Sequence, residues 1–325
     1  MKKVSIVIPT YNPGNDILRA VGSVRAQTFA DWELIVADDC STDSTYATVE
    51  NLAASDPRIR IVRMQRNSGS ARQPIFMGAN HAETGIICVM GQDDEIEPDF
   101  LERLYKRMTD TGSDCALCRM KMVQTETGAI SYVPAEGFDF SRVITGREAC
   151  KMTIGNWLIG CNGALVRKDI FLSCQDERHE MNMDEVDSRV WLTRSAKVCF
   201  ADVNYVYHLH SSSITRKISP KLFDVLATNI YLLDFLMAEY ADDKSLLSRQ
   251  WDICYTSIKN LLNVYWQHEN EWTDGKAIMR AIAHAYGELK RRPLLGSKRK
   301  QRLWLKLSRF SIFCYFCHLK YHHHE

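Results

Sequence analysis

The chain has 325 residues, a formal net charge of +1 and 46% hydrophobic residues, which is enough for a full core and ordinary for a globular protein. That composition excludes a disordered chain, and no apolar run reaches the length of a membrane span. The charge is uneven, because the stretch from Lys290 to Lys320 carries many basic residues and no acid, leaving the rest net acidic. The eleven cysteines are an odd number, scattered and often inside apolar runs, so they read as reduced thiols of a cytoplasmic protein. Neither Cys115-x-x-Cys118 nor Cys314-x-x-Cys317 has a partner pair for zinc. Met1-Lys2-Lys3 and the apolar run after it imitate a signal peptide, but the run breaks at Pro9 and lacks a cleavage site.

In chain order, Val4 to Ile8 is a β-branched run that predicts a buried strand. Turn chemistry follows in Pro9-Thr10-Tyr11-Asn12-Pro13-Gly14-Asn15. A helix is expected from Asp16 to Gln27, with Ile17, Leu18, Val21 and Val24 on one stripe. Glu33 to Ala37 is the second strand and ends in Asp38-Asp39-Cys40-Ser41-Thr42-Asp43-Ser44, whose Ser and Asp residues suit the start of a helix over Ser44 to Ala54. Ile59 to Met64 is the third strand, Asn67-Ser68-Gly69-Ser70 a turn, and Ala71 to His81 a helix. Ile86-Ile87-Cys88-Val89-Met90 is the fourth buried strand. It stops at Gly91-Gln92-Asp93-Asp94-Glu95, before a helix that Pro98 opens.

Four strands alternating with four helices predict a doubly wound α/β domain. Thr10-Tyr11-Asn12, Asp38-Asp39 and Asp93-Asp94 all follow strand carboxyl ends, so they should meet in one crevice. Adjacent carboxylates repel one another and tolerate this best around a cation. Oxygen ligands with few thiols or imidazoles suit Mg²⁺ or Mn²⁺. The dinucleotide fingerprint, the P-loop and the nucleophile elbow are all absent.

Together these residues resemble family 2 glycosyltransferases of the GT-A fold. The resemblance is carried by Val4-Ser5-Ile6-Val7-Ile8-Pro9-Thr10-Tyr11-Asn12, by Ser23-Val24-x-x-Gln27-Thr28 and by Trp32-Glu33-Leu34-Ile35-Val36-x-Asp38-Asp39-x-Ser41-Thr42-Asp43. It continues through Asn67-x-Gly69-x-Ala71-Arg72 and Gln92-Asp93-Asp94-Glu95-x-x-Pro98, closely over the first 110 residues and more loosely to Ser213. It implies a nucleotide-sugar donor, with UDP the expected nucleotide. Pro9, Thr10, Tyr11, Asn12 and Arg72 would line the nucleotide, Asp39 would accept the base N–H, Asp93 would hold the ribose, and Asp94 would bind Mn²⁺ or Mg²⁺ at the diphosphate. Two departures stand out: the family often has an acid where this chain has Gly91, and its usual Asn after Ala-Arg is Gln73 here.

Inverting transfer also needs a base for the acceptor hydroxyl. The resemblance places it in Met183-Asp184-Glu185-Val186-Asp187-Ser188, where Glu185 takes the base position by alignment and Asp184 by residue type. Tyr205-Val206-Tyr207-His208-Leu209-His210-Ser211-Ser212-Ser213-Ile214 resembles the family's Tyr-x-x-His-x-x-Ser-Ile segment, making His210 a further metal or diphosphate ligand and His208 its competitor. Gly155 to Gly163 could be an acceptor platform or a structural turn, and Gln175 to Met183 a loop over the donor.

From Pro220 the pattern turns helical: a stripe of Leu222, Val225, Leu226, Asn229, Leu232, Leu233 and Leu236, then helices over Ile253 to Trp266 and Ala277 to Leu289. The expected division is a catalytic domain over 1–215, with a nucleotide half to 110 and an acceptor half from 111, and a helical extension over 216–325. Basic residues flanking an aromatic helix in 290–320 fit a peripheral contact with the inner membrane face, and packing on the domain or a dimer contact is the alternative. No nucleic-acid module accompanies them. The expectation is an inverting hexosyl- or N-acetylhexosaminyltransferase acting on a glycan or lipid-linked glycan, as in surface-polysaccharide synthesis. Its rivals are a nucleotide-sugar-binding module without catalysis and a sugar-nucleotide nucleotidyltransferase.

Overall fold

A computed structural model describes residues 2–155, 162–176, 178, 181–210 and 218–292. These divide into two compact units, one of residues 1–179 and 183–217, the other of 180–182 and 218–325. The basic stretch from 293 onward, Ser213-Ile214 and the centre of the Gly155 to Gly163 loop lie outside the described residues.

The first unit is built on a ten-stranded mixed sheet among the described residues. Its first half is parallel and alternates with helices: β1 (Val4–Thr10), α1 (Asp16–Arg25), β2 (Trp32–Asp38), α2 (Thr45–Ser55), β3 (Ile59–Arg63), α3 (Arg72–His81) and β4 (Ile86–Val89). The order β3-β2-β1-β4 puts β1 between β2 and β4, in parallel register with both. The loops after β1, β2 and β4 therefore leave from the same edge. All seven positions of β2 are buried, as a continuous apolar run with both faces covered requires. Glu33 within it is buried because Ser5 Oγ donates to it at 2.5 Å, Glu83 N at 2.7 Å and Arg60 Nη2 at 2.9 Å.

The helices bury one stripe each. In α1 the buried positions are Ile17, Ala20, Val21 and Val24, spaced by three and four residues. Leu18, expected on that stripe, is 47% exposed, because its place next to Ile17 turns it about 100° off the face.

The second half of the sheet is mixed. β5 (Glu95–Ile96), α4 (Phe100–Thr111), β6 (Cys115–Gln124), β7 (Ile130–Val133), β8 (Val143–Ile144), α5 (Gly146–Thr153), β9 (Leu165–Arg167), α6 (Lys168–Leu172), α7 (Met183–Arg194) and β10 (Val198–Leu209) follow in order. β9 runs antiparallel between β4 and β6, and β6 pairs in parallel with β10. Glu95 and Ile96, expected in a loop, form a short strand opposite Val206 and Tyr205 of β10. This pairing brings the end of the chain's longest strands to the acid loop.

The second unit contains α8 (Asp224–Glu239), α9 (Lys244–Gln267) and α10 (Gly275–Arg291) after a short 3-10 turn at Pro220–Phe223. Its core holds Leu226, Leu233, Trp251, Ile258, Leu262 and Ile282. Among the described residues no helix is long and apolar enough to cross a membrane.

Candidate active site

The three strand-end loops are tied to one another by side chains. Tyr11 N donates to Gln92 Oε1 at 2.8 Å and Gln92 Nε2 returns a longer bond to the Tyr11 carbonyl, joining the β1 and β4 loops. Asn12, at φ +47, accepts from Thr42 N at 2.8 Å, and its own N–H donates to Ser41 Oγ at 3.0 Å, joining the β1 and β2 loops. Thr10 is buried and its hydroxyl donates to the Ile8 carbonyl at 3.2 Å. Pro9 is partly buried, whereas Tyr11 is 44% exposed. Of the expected nucleotide-lining residues, Thr10 and Asn12 thus shape the loops, and the Tyr11 ring is the accessible surface.

The paired acids after β2 have different surroundings. Asp38 accepts from Ser41 N at 3.0 Å and faces Arg63 Nε at 3.2 Å, so it closes its own turn. Asp39 accepts from Ser68 N at 2.8 Å, Ser68 Oγ at 2.9 Å and Asn67 Nδ2 at 3.1 Å. These donors come from the Asn67-Ser68-Gly69-Ser70 turn. Burial pushes Asp39 above the usual carboxylate range, and the Ser68 donors only partly counter it.

The acid loop separates Asp93 from Asp94. Asp94 is 1% exposed. Its Oδ2 accepts from the Tyr205 hydroxyl at 2.6 Å and its Oδ1 from His208 N at 3.1 Å. The Tyr205 hydroxyl in turn accepts from Gly91 N at 2.8 Å. Burial, and then the neighbouring Asp93 charge, push Asp94 up to about 7. Asp94 was expected at the metal, but its oxygens are turned inward onto β10 and both hold donors. Asp93 is partly exposed, and its carboxylate has no hydrogen bond or ion pair among the described residues. Arg19 donates to the Asp93 carbonyl at 2.6 Å, which holds the loop.

The close packing also accounts for Gly91. A Cβ there would lie 2.3 Å from Asp94 Oδ2, closer than two such atoms can approach. The acid the family often has at this position is incompatible with the inward Asp94. Tyr205 imposes the same demand on Gly163 (φ +80), where a Cβ would meet its ring at 2.7 Å.

At the end of β10, His208 Nε2 lies 2.8 Å from Glu95 Oε1, and Arg19 Nε faces the same oxygen at 3.3 Å. His210 lies 3.2 Å from Thr125 Oγ1 through Nδ1, while its Nε2 is buried without a hydrogen-bond partner among the described residues. That nitrogen and the Asp93 carboxylate are an imidazole and an oxygen donor of the kinds that suit a divalent ion, both without hydrogen-bond partners among the described residues. No group of three or more His, Cys, Asp or Glu among the described residues could hold one alone. The fit is to an ion completed by substrate phosphates and water, the habit of Mg²⁺.

Helix α7 opens with the candidate bases. Arg189 forms an ion pair with the Glu185 carboxylate one turn away and donates to the Glu185 carbonyl at 2.8 Å. Asp184 is partly buried; burial and then the Glu185 and Asp187 charges push it up to about 6. Arg72 was expected beside the nucleotide but is 5% exposed. It donates to Asp187 through Nε at 2.7 Å and Nη2 at 3.0 Å, to Asp176 Oδ1 at 2.9 Å, and to the Cys174 and Arg178 carbonyls, each at 2.7 Å. Sequence reasoning missed Tyr205, Arg19 and Gln92 as parts of the site. Tyr205 carried a signal, as a buried tyrosine needs a partner for its hydroxyl.

Known proteins provide independent comparisons. The chain is 25% identical over 221 residues to the glycosyltransferase GlyG of Streptococcus pneumoniae, covering 66% of this chain and 73% of that protein. It is 27% identical over 271 residues to the succinoglycan biosynthesis protein ExoO of Rhizobium meliloti, covering 76% and 68%. The crystal structure of S. aureus TarS 1-349 in complex with UDP-GlcNAc superposes with a TM-score of 0.63 at 19% identity, over 90% of this chain and 86% of that one, a likeness of fold. The sequence model of Glycosyl transferase family 2 matches residues 5–173, more than half of the chain and all three strand-end loops. A GT-A sheet with these loops on one edge, and a family match that runs through each of them, make this chain a member of glycosyltransferase family 2.

Proposed function

We propose that the chain moves a sugar from a UDP-sugar to a hydroxyl of a surface glycan in one inverting displacement. The observation that carries this is the convergence of Asp39, the Tyr11 ring and Asp93 on loops laced together by Tyr11–Gln92 and Asn12–Ser41 bonds. A cradle whose loops hold one another is fixed before the donor arrives, so binding does not have to order it. Asp39 accepts the N–H of the base. Asp93 and His210 would hold Mn²⁺ or Mg²⁺, which would supply positive charge to offset that building on the diphosphate leaving group. The TarS complex with UDP-GlcNAc supports a UDP-hexosamine as the first donor to try. ExoO, named for succinoglycan biosynthesis, supports a polysaccharide acceptor. The basic and aromatic residues of 290–320 suit a lipid-linked acceptor at an anionic membrane face.

Asp184 is the base in this reading. Glu185 is held by Arg189, while Asp184 sits in the same first turn with its charge destabilised by burial. A carboxylate raised toward neutrality accepts a proton more readily near pH 7. It takes the acceptor proton as the acceptor oxygen bonds to the anomeric carbon. The bond from that carbon to the diphosphate breaks on the opposite face, and UDP leaves with the electron pair.

Calorimetry with UDP, GDP and dTDP in the presence of Mn²⁺, alongside release of UDP from a panel of UDP-hexoses, tests the proposal. UDP should bind in a metal-dependent way, the Asp93→Ala variant should lose that binding, and one UDP-hexose should turn over. Absence of metal-dependent binding of any of the three nucleotides would overturn the donor site, and binding without turnover would overturn the enzyme.

A further inference from the structure

Arg72 stands two residues after Ser70, in the turn that supplies the Asp39 donors; its backbone N–H donates to Ser70 Oγ at 3.3 Å, whereas its guanidinium faces the segment before α7 and α7 itself. Three guanidinium nitrogens engage two carboxylates and the carbonyls of Cys174, Asp176 and Arg178. The pair with Asp187 is two-pronged and both partners are buried, Arg72 at 5% and Asp187 at 8% exposure. Such a pair is rigid, and a planar fork fixes the angle as well as the distance between its partners. Asp187 lies one turn along α7 from Asp184, so the fork sets where the first turn of that helix stands relative to the Ser68–Asp39 contact.

We infer that Arg72 is a positioning residue, which through Asp187 holds the Asp184 turn of α7 in register with the nucleotide-side loop. This rests on the reading of Asp184 as the base. Its consequence is specific. Loss of Arg72 slows the transfer step and leaves nucleotide affinity intact, whereas a guanidinium that touched the nucleotide would do the reverse. A displacement of about 1 Å at a reacting group costs about 100-fold in rate.

Removing Arg72 also changes the charge that Asp184 faces. The groups around Asp184 are Glu185, Asp187 and Arg189 on its own helix, while Asp176 and Arg178 flank Asp187 from the preceding segment. α5 meets this helix where its Thr153 carbonyl accepts from Arg189. Without the guanidinium, the Asp187 carboxylate loses its two-pronged partner and is less fully compensated beside Asp184, so the acid limb of turnover moves to higher pH. A merely structural loss would lower the active fraction without moving that limb.

The full-length Arg72→Ala, Arg72→Lys, Asp187→Asn and Asp184→Asn variants are compared with the wild type. The readouts are UDP binding by calorimetry with Mn²⁺, and UDP release from the UDP-hexose that the wild type hydrolyses, with water as acceptor. Arg72→Ala should hold UDP within about twofold of wild type, lose about 100-fold in turnover, shift the acid limb upward and recover turnover with millimolar guanidinium ion. If that protein fails to fold, Arg72→Lys serves: an ammonium keeps the charge but cannot make the fork, so the turnover loss is expected with UDP affinity and the acid limb both unmoved. A parallel fall in UDP affinity or an unchanged turnover in either variant, or a loss in Arg72→Ala with neither a moved limb nor guanidinium rescue, would each overturn the inference. Full turnover in Asp184→Asn would instead remove the base reading beneath it.

Discussion

The two sides of the site hold their carboxylates by different means. On the donor side, Asp39 and Asp94 are buried among neutral donors: Ser68 and Asn67 for one, Tyr205 and a backbone N–H for the other. On the acceptor side, Glu185 and Asp187 are held by arginines, Arg189 from the same helix and Arg72 from the start of α3. Neutral donors orient a carboxylate without cancelling its charge, and the inward Asp94 fixes the loop on which Asp93 stays partly exposed. Guanidinium partners neutralise what they orient, as Arg189 and Arg72 do for Glu185 and Asp187, whereas burial raises Asp184 in the same turn. The contrast gives the three acids in the first turn of α7 three different surroundings.

Breaking the acceptor side should cost the most activity. Asp184→Asn is expected to lower turnover about 1000-fold with UDP affinity unchanged, the range for removal of a general base. Glu185→Gln, which loses an ion pair rather than the base, should cost far less in the same assay. Because Asp184 is pushed up to about 6 and must be charged to act, wild-type turnover should rise with pH through about 6 and level off above it. A pH profile flat from 5 to 8 would contradict both assignments.

The donor side is tested through its buried hydroxyl. Tyr205→Phe leaves the Gly91 N–H and one Asp94 oxygen unpaired in the interior, for a stability loss of about 2–4 kcal/mol measured by denaturant titration. Gly91→Ala sharpens the point with a single carbon. Its Cβ meets Asp94 Oδ2 at 2.3 Å, so we expect about 1–3 kcal/mol of overpacking and a weaker metal-dependent UDP affinity. An alanine that left both unchanged would show that Asp94 turns outward at little cost.

The smallest effect lies away from the site, where one carboxylate has both kinds of partner. Burial alone would raise Glu33, but the Ser5 hydroxyl, the Glu83 N–H, Arg60 and Lys2 outweigh it and hold it below its usual value. A group lowered by folding stabilises the protein above its unfolded pKa, and the contribution fades as pH falls through the folded one. Glu33→Gln should therefore cost about 1 kcal/mol near pH 7, and the gap to wild type should close in acid when both are followed by denaturant titration.

Local pattern was enough for the alternating half of the fold. Continuous β-branched runs, each followed by turn residues and an amphipathic stripe, specify β1 to β4 and α1 to α3, because strand and helix periods are properties of neighbours in the chain. Motifs at strand ends identified the three loops for the same reason, and with them the family. The pairing of Glu95 and Ile96 with β10 escaped, since two residues have no period and their partners lie more than a hundred positions away.

What the tertiary structure alone decided was the surroundings that tell two adjacent acids apart. Asp93 and Asp94, like Asp184 and Glu185, are indistinguishable as letters, and each pair is separated by a distant or non-adjacent partner: Tyr205 and His208 for Asp94, Arg189 for Glu185. Arg72 shows the same limit, for its motif places it beside the nucleotide loop while its fork faces Asp187. A sequence states which charges are available, and their roles follow from the burial and partners that only folding assigns.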